Sequence, residues 1–288
     1  MSIRAALVVL VGVILPSRAA GFGWVQPPGR CYAKVWDRSW VGAYAYTSAG
    51  LRDMERVPLY QDHLLNLYGE CGLSRRVTAH VALSPAGYAR TAGAGTFYVG
   101  PLSAGLRVGL LTSGSVRLAV SGRYGYAPAV GDTPLWDSTI TVDGEDRRVI
   151  YQPAVENHLG EVSLGLGRGF SWGRRPAYFG ASLGVRLNSA ETMDPVLTGE
   201  AQLGIAFAAV DLDLHLHLHE PSFQSVERTN VAGAGQTRFL GFGVTVSYRL
   251  SPALALFFNL EGVFYAVSNA ATPSLAAGVQ SRFGVGGG

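Results

Sequence analysis

The sequence predicts an all-β protein, a transmembrane antiparallel up-and-down β-barrel of about 12 strands. The 288-residue chain contains 38 glycines and 48% hydrophobic residues, but only 15% of its residues are charged. Soluble domains contain about 25% charged residues. Beyond the N-terminal leader, no apolar run reaches the roughly 20 residues that a membrane-spanning helix needs. Because a bilayer tolerates no unpaired backbone polar groups, a closed barrel reconciles these observations.

The first 19 residues have the pattern of a secretory signal peptide. Arg4 supplies the positive charge, residues 5–15 are apolar, and Ser17 and Ala19 are the small residues that a signal peptidase reads. We expect cleavage after Ala19, which leaves residues 20–288 as the barrel domain. The alternative is an uncleaved membrane anchor, but the apolar stretch is too short to span comfortably.

Apolar residues alternate with small or polar residues along the rest of the chain, which is the period of a strand. In a transmembrane barrel the apolar positions face lipid and the others face the lumen. Tight turns at residues 74–75, 112–115, 208–209 and 251–253 separate some strands, and longer segments rich in Pro, Asp, Ser and Gly separate the others. In chain order, the predicted strands cover residues 30–38, 63–73, 76–84, 97–111, 116–126, 157–167, 177–188, 198–207, 210–219, 239–250, 254–265 and 274–285.

The lengths of the connections support this assignment. Connections after the second, fourth, eighth and tenth strands are very short, that after the sixth is moderate, and those after odd-numbered strands are longer. Short periplasmic turns, long outer loops and an even strand count are typical of outer-membrane barrels. Outward aromatic residues are predicted near both rims, namely Phe179, Phe207, Tyr248 and Phe283 at the periplasmic end and Tyr98, Tyr124, Tyr126 and Phe264 at the other. The alternative, a soluble β-sandwich, would need a more charged exposed face, whereas Lys34 is the only lysine.

The two cysteines fall near the same end of adjacent predicted strands. If the first two strands pair antiparallel, Cys31 and Cys71 lie opposite each other. A disulfide is then expected in an oxidising compartment; the alternative is two free thiols that pack as small apolar residues. The same register places Lys34 diagonal to Glu70 in the lumen, which predicts an ion pair.

The most unusual stretch is an alternating run of acidic residues, histidines and leucines in the ninth predicted strand. Period two places Asp211, Asp213, His215, His217 and His219 on the lumen wall and the leucines toward lipid. Alternate residues of a strand are about 6.5–7 Å apart, which is wide for three ligands of one ion. Two histidines could share a transition metal with a carboxylate of a neighbouring strand, or could form a site that responds to pH. The alternative is a polar wall with cross-strand hydrogen bonds.

Charged residues of both signs are predicted to line the lumen. Two interpretations stay open: a constriction that selects anionic or zwitterionic solutes, or a set of ion pairs that fills the interior of the barrel. No cofactor is expected. The candidate residues are Lys34, Glu70, Arg107, Arg117, Arg123, Glu161, Arg186, Glu200, Arg249, Glu261 and Arg282.

Several short motifs in the first third of the chain resemble those of known proteins. Residues 23–27 read Gly-Trp-Val-Gln-Pro, residues 67–70 read Leu-Tyr-Gly-Glu, and residues 76–78 read Arg-Val-Thr. Over about residues 21–83 the chain resembles bacterial outer-membrane β-barrels regarded as transporters, akin to those linked to phenol-degradation pathways. The resemblance implies an outer-membrane barrel and a channel, with no catalytic residues to carry over.

We therefore expect a passive channel or uptake pore for small solutes in the outer membrane, with residues 128–153 gating its mouth. Expected partners are outer-membrane lipids, lipopolysaccharide, the barrel insertion machinery and the solutes, but no nucleic acid. The alternative is a sealed structural or surface-interaction barrel that works through its outer loops.

An outer-membrane lipid-modifying enzyme is disfavoured by the sequence. Neither His80, His158 nor any histidine of residues 215–219 has a serine two positions away, and no Gly-x-Ser-x-Gly elbow is present. The glycines at positions 165, 167 and 169 are interpreted as a strand-to-turn feature, because no helix is predicted to follow them. The sequence therefore indicates no enzyme.

Overall fold

The computed structural model describes residues 22–47, 54–142, 144–191, 193–222, 228–235 and 237–284. The predicted signal peptide lies outside these residues. Within them, there is no helix that is long and apolar enough to cross a membrane. The strands are β1 (Arg30–Tyr46), β2 (Met54–Gly72), β3 (Val77–Thr91), β4 (Ala94–Tyr98), β5 (Leu102–Leu111), β6 (Val116–Ala127), β7 (Trp136–Val142), β8 (Glu145–Tyr151), β9 (Asn157–Trp172), β10 (Arg175–Asn188), β11 (Val196–Ala206), β12 (Val210–Pro221), β13 (Arg228–Asn230), β14 (Arg238–Arg249), β15 (Leu254–Val267), β16 (Asn269–Ala270) and β17 (Ser274–Gly284).

Twelve of these strands form a closed antiparallel barrel with up-and-down order. They are β1, β2, β3, β5, β6, β9, β10, β11, β12, β14, β15 and β17, and the pairing of β1 with β17 closes the barrel. The predicted fold class and strand order are confirmed. Several strands are longer than predicted, and the clearest examples are β1, β2 and β3. Their additional residues lie at the end of the barrel that carries the long connections, which we call the loop end. The opposite end, with the short turns, is called the turn end.

The predicted fourth strand is divided in the structure. β4 pairs with the loop-end half of β3, whereas β5 pairs with the turn-end half of β3 and with β6. Pro101 lies between them, and a proline cannot donate a ladder hydrogen bond. The division turns Tyr98 inward, where it is buried and its hydroxyl donates to Asp62 at 2.8 Å. The prediction that Tyr98 faces outward in an aromatic girdle is therefore wrong.

The outer face of the barrel is apolar. Val35, Val162 and Leu183 have 44%, 63% and 56% of their surface exposed, and similar side chains continue around the barrel. Of the predicted outward aromatics, Phe179, Tyr248, Phe283, Tyr124 and Phe264 are exposed. Exposed apolar surface of this extent is typical of a surface that contacts lipid.

A small second sheet forms inside the loop end and was missed in the sequence analysis. β7 pairs with β8, and β13 adds in parallel to β8. The sheet packs on the inward face of β2, where Tyr151 stacks on Tyr60 at a ring-centroid distance of 5.7 Å. The Tyr151 hydroxyl also donates to the Gln61 carbonyl at 3.2 Å, and burial raises the pKa of Tyr151. We call β7, β8 and β13 the mouth sheet; it narrows the loop end.

A disulfide joins the first two strands at the turn end. Cys31 and Cys71 are register partners, and their Cα atoms are 4.2 Å apart. The bond closes a loop with a sequence separation of 40 residues. The first hairpin is therefore covalently closed at its base.

Replacing both cysteines with serine is expected to lower the free energy of unfolding by about 2–4 kcal/mol, because the bond restricts the unfolded chain. Urea titration of the refolded barrel in micelles measures the change, with the wild type under reducing conditions as the matched comparison. Equal stability of the double variant and the oxidised wild type would contradict this expectation.

Candidate functional site

The N-terminal part of the described chain lies inside the barrel. Residues 22–28, here called the inner segment, run along the inner wall of the barrel at the turn end, from β2 to β10. The backbone amide of Gln26 donates to Thr78 on β3 at 2.8 Å. Farther along, Trp24 makes an edge-to-face contact with Tyr178 on β10, with ring centroids 6.0 Å apart. The inner segment therefore occupies part of the lumen cross-section.

Inward-facing glycines make room for the inner segment. A Cβ atom at Gly167 would lie 2.3 Å from the ring of Trp24, and one at Gly180 would lie 2.5 Å from the ring of Phe22. A Cβ at Gly165 would meet the backbone of Phe22 at 2.6 Å. Our interpretation of the glycines at 165 and 167 as a strand-to-turn feature was incomplete, since they permit close approach of the chain.

Glu70 is the centre of the contacts that hold the inner segment. Its side chain is fully buried and accepts hydrogen bonds from the side chains of Gln26, Tyr68 and Arg107. Arg107 Nη1 lies 3.0 Å from Glu70 Oε2 and 3.3 Å from the Trp24 carbonyl oxygen. A buried ion pair thus joins two strands to the inner segment.

The predicted ion pair between Lys34 and Glu70 is not formed. The register is as predicted, since Lys34 faces Tyr68 and Glu70 faces Tyr32. Lys34 Nζ instead lies 3.9 Å from the centre of the Phe257 ring and 4.9 Å from that of Trp36. The aromatic faces attract the ammonium group, and Arg107 takes its expected place beside Glu70.

A second charged cluster lies on the inner wall, nearer the loop end than Glu70. Glu161 Oε2 accepts from Arg123 at 2.7 Å and from Arg186 at 2.8 Å. One carboxylate thus balances two guanidinium groups. These three side chains face the lumen as predicted, and their contact leaves a local excess of positive charge.

Two adjoining cavities occupy the lumen, with volumes of about 560 and 380 Å³. The predicted residues that line the larger cavity are Lys34, Arg107, Arg123, Glu161, Arg186, Glu200, His215, His217, His219 and Glu261. Those that line the smaller cavity are Lys34, Glu200, Asp211, Asp213 and Arg282. Of the other candidates, Glu70 is covered by the inner segment, the Arg117 carbonyl packs against Gly23, and Arg249 lies 3.5 Å from Asp211.

The structure separates the acidic and histidine residues of β12 into groups with different partners. Tyr178 donates a short hydrogen bond to Asp213, and His219 stacks in parallel on Phe239 at 5.4 Å. His215 and His217 turn toward Glu261 on β15. The polar residues of β12, which were predicted to line one wall together, therefore form four separate contacts: an ion pair, a hydrogen bond, a stacked ring and a His–His–Glu cluster.

The outer surface carries a Ser–His–Asp contact that the sequence analysis missed, because its histidine lies on β2 and its serine and aspartate lie on β1. Ser39 Oγ lies 2.7 Å from Asp37 Oδ2 and 2.8 Å from His63 Nδ1. The same Nδ1 atom is 3.6 Å from the aspartate. In serine hydrolases the carboxylate holds the ring nitrogen opposite the one that faces the serine. The present arrangement differs from that relay.

The barrel is similar to solved structures of outer-membrane pores. An outer membrane channel from Pseudomonas putida F1 aligns with a TM-score of 0.58 and 11% identity, covering 92% of this chain and 99% of that chain. The NanC porin aligns with a TM-score of 0.54 and 6% identity, covering 87% of this chain and 100% of that chain. No family model and no curated protein matches the sequence.

Proposed function

We propose that this protein is a passive channel of the outer membrane for small polar or charged solutes. The observation that carries the proposal is a lumen with polar and charged walls, which contains adjoining cavities of about 560 and 380 Å³. A lumen of this kind replaces part of the hydration of a solute during passage. The apolar outer face and the similarity to two outer-membrane pores support the same function.

The proposal includes the route to the membrane and the orientation. A cleaved signal peptide of residues 1–19 would export the chain, and the turn end would face the periplasm with the mouth sheet outside. Lipid and lipopolysaccharide would then surround the barrel after the insertion machinery has placed it. The resemblance of about residues 21–83 to outer-membrane transporters supports this location and orientation.

Single-channel recording of the refolded protein in a planar bilayer tests the function. Discrete conductance steps are expected, because the polar cavities provide a path beside the inner segment. A heat-modifiable, folded barrel that shows no steps would contradict the proposal. It would favour the sealed structural barrel, in which the inner segment and the mouth sheet close the lumen.

Replacing Glu161 with glutamine is expected to make the pore more selective for anions. The carboxylate balances Arg123 and Arg186 at 2.7 and 2.8 Å, so its loss leaves both guanidinium groups facing the lumen without that charge. The reversal potential in a KCl gradient should shift toward the chloride potential. Glu145→Gln is the matched control, since Glu145 pairs with Arg147 in the mouth sheet and is mainly exposed. Equal reversal potentials for Glu161→Gln and the wild type would contradict this prediction.

A further inference from the structure

We propose that His215, His217 and Glu261 form a binding site for a divalent transition-metal ion, with Zn²⁺ as the best-matched ion. The three side chains meet on the lumen wall, and one potential ligand atom from each lies within 4.8 Å of the other two. The distance from His215 Nε2 to Glu261 Oε1 is 3.4 Å. Two imidazoles and one carboxylate are a known ligand set for catalytic zinc, which keeps a fourth position open.

The distances require only a small adjustment of one ring. In a tetrahedral site with bonds of about 2.0–2.1 Å, ligand atoms are about 3.3 Å apart. The His215 and Glu261 atoms already meet this spacing. The ring centroids of His215 and His217 are 4.8 Å apart, and both side chains are only partly buried. A rotation of the His217 ring toward the other two residues would complete the set.

The backbone between these strands provides the space for the cluster. In the register, Gly243 on β14 separates His215 on β12 from Glu261 on β15. A Cβ atom at Gly243 would lie 2.0 Å from His215 Nε2. The glycine therefore allows the imidazole to lie across an entire strand and reach the carboxylate. With any other residue at this position, either the imidazole of His215 or the backbone of β14 would have to move.

Neighbouring polar groups hold the carboxylate in place. Asn259 Nδ2 donates to Glu261 Oε1 at 2.7 Å, and Ser274 Oγ donates to Glu261 Oε2 at 3.2 Å. Thr245 Oγ1 in turn donates to Asn259 Oδ1 at 3.0 Å. Such outer contacts orient metal ligands and raise affinity. The carboxylate is thus fixed on a rigid strand rather than free in the lumen.

The other polar residues of β12 have other partners, so the site does not use the whole run. His219 is stacked on Phe239, and Asp213 accepts from Tyr178. His215, His217 and Glu261 all line the larger cavity, so an ion reaches them from the lumen. A bound divalent ion would place positive charge on the wall of the solute path.

Isothermal titration calorimetry with ZnCl₂ tests the site on the full mature barrel, folded in detergent, free of a histidine tag and washed with chelator. One ion per chain is expected to bind. Loss of outer contacts alone typically weakens metal binding about 10–100-fold, so His215→Gln, His217→Gln and Glu261→Gln should each weaken it at least as much. His219→Gln is the matched control on the same strand and should bind like the wild type. Heat-modifiable mobility on gels verifies that each variant is folded.

Equal zinc affinity of the wild type and the His215→Gln/His217→Gln double variant would overturn the proposal, as would equal weakening by His219→Gln. X-ray absorption at the zinc edge on the wild type gives a test without substitutions. Two imidazole ligands and one oxygen from protein support the site, and a shell of oxygen alone overturns it. Binding is measured without conduction, so failure of the channel proposal and failure of the metal site are distinguishable.

Discussion

Deleting residues 22–27 is expected to raise the single-channel conductance severalfold. The inner segment runs along the inner wall from β2 to β10 and fills part of the lumen cross-section at the turn end. Phe22 lines the larger cavity, and Trp24 contacts Tyr178 on the wall. Removal of these bulky side chains widens the path for hydrated ions, and conductance rises with pore cross-section.

The deletion keeps the base of the barrel intact. Gly29 still donates to the Gly72 carbonyl at 2.9 Å, and the disulfide between Cys31 and Cys71 still closes the first hairpin. Trp24→Ala should give a smaller rise in conductance in the same bilayer recordings. Trp172→Ala is the matched control, because Trp172 is an outward residue at the turn end with 60% of its surface exposed. A deletion variant that folds and conducts like the wild type would show that the inner segment does not limit flow.

The barrel itself could be predicted from the sequence, because each strand repeats a simple physical requirement. Lipid outside and water inside impose a period of two, and the tight turns at residues 74–75, 112–115 and 251–253 fix the pairing of neighbours. The pairing of Cys31 with Cys71 followed from the same register. These features depend only on local alternation and on adjacent strands.

The contents of the lumen could not be predicted in the same way, since they depend on contacts between distant parts of the chain. Nothing local to Trp24 indicates that it enters the barrel and reaches Tyr178. The only sequence signal was the absence of side chains at Gly165, Gly167 and Gly180 on the inward face. Likewise, the partner of His215 is Glu261, which lies beyond an intervening strand. The sequence indicates the acidic and histidine residues of β12, but not how they divide among different partners.

The mouth sheet was missed for a related reason. Residues 136–151 belong to the outer loop predicted over residues 128–153, and β7 and β8 have seven residues each, whereas a membrane-spanning strand needs about 9–11. β8 is exposed where it begins and buried on both faces where it ends, since Val149, Ile150 and Tyr151 are each at most 1% exposed. The pattern of these two strands therefore differs from that of the spanning strands.

Glu70→Ala is expected to lower the free energy of unfolding by about 3–5 kcal/mol, because it leaves a buried guanidinium group without its counter-charge. The side chains of Glu70 and Arg107 are 0% and 7% exposed, and their closest atoms are 3.0 Å apart. Urea unfolding in detergent micelles measures the loss. Glu145→Ala is the matched control, because its side chain is 73% exposed and a surface pair contributes within about 1 kcal/mol.

A double variant separates the charge from the cavity that alanine leaves. Replacing Glu70 and Arg107 together with leucine removes both charges, so it should be less destabilising than Glu70→Ala. Glu70 also accepts from Gln26, so each Glu70 variant should loosen the inner segment and raise conductance in the direction of the deletion. A Glu70→Ala protein that is as stable as the Glu145→Ala control would mean that water reaches Arg107. In that case the ion pair would not be what holds the inner segment against the inner wall.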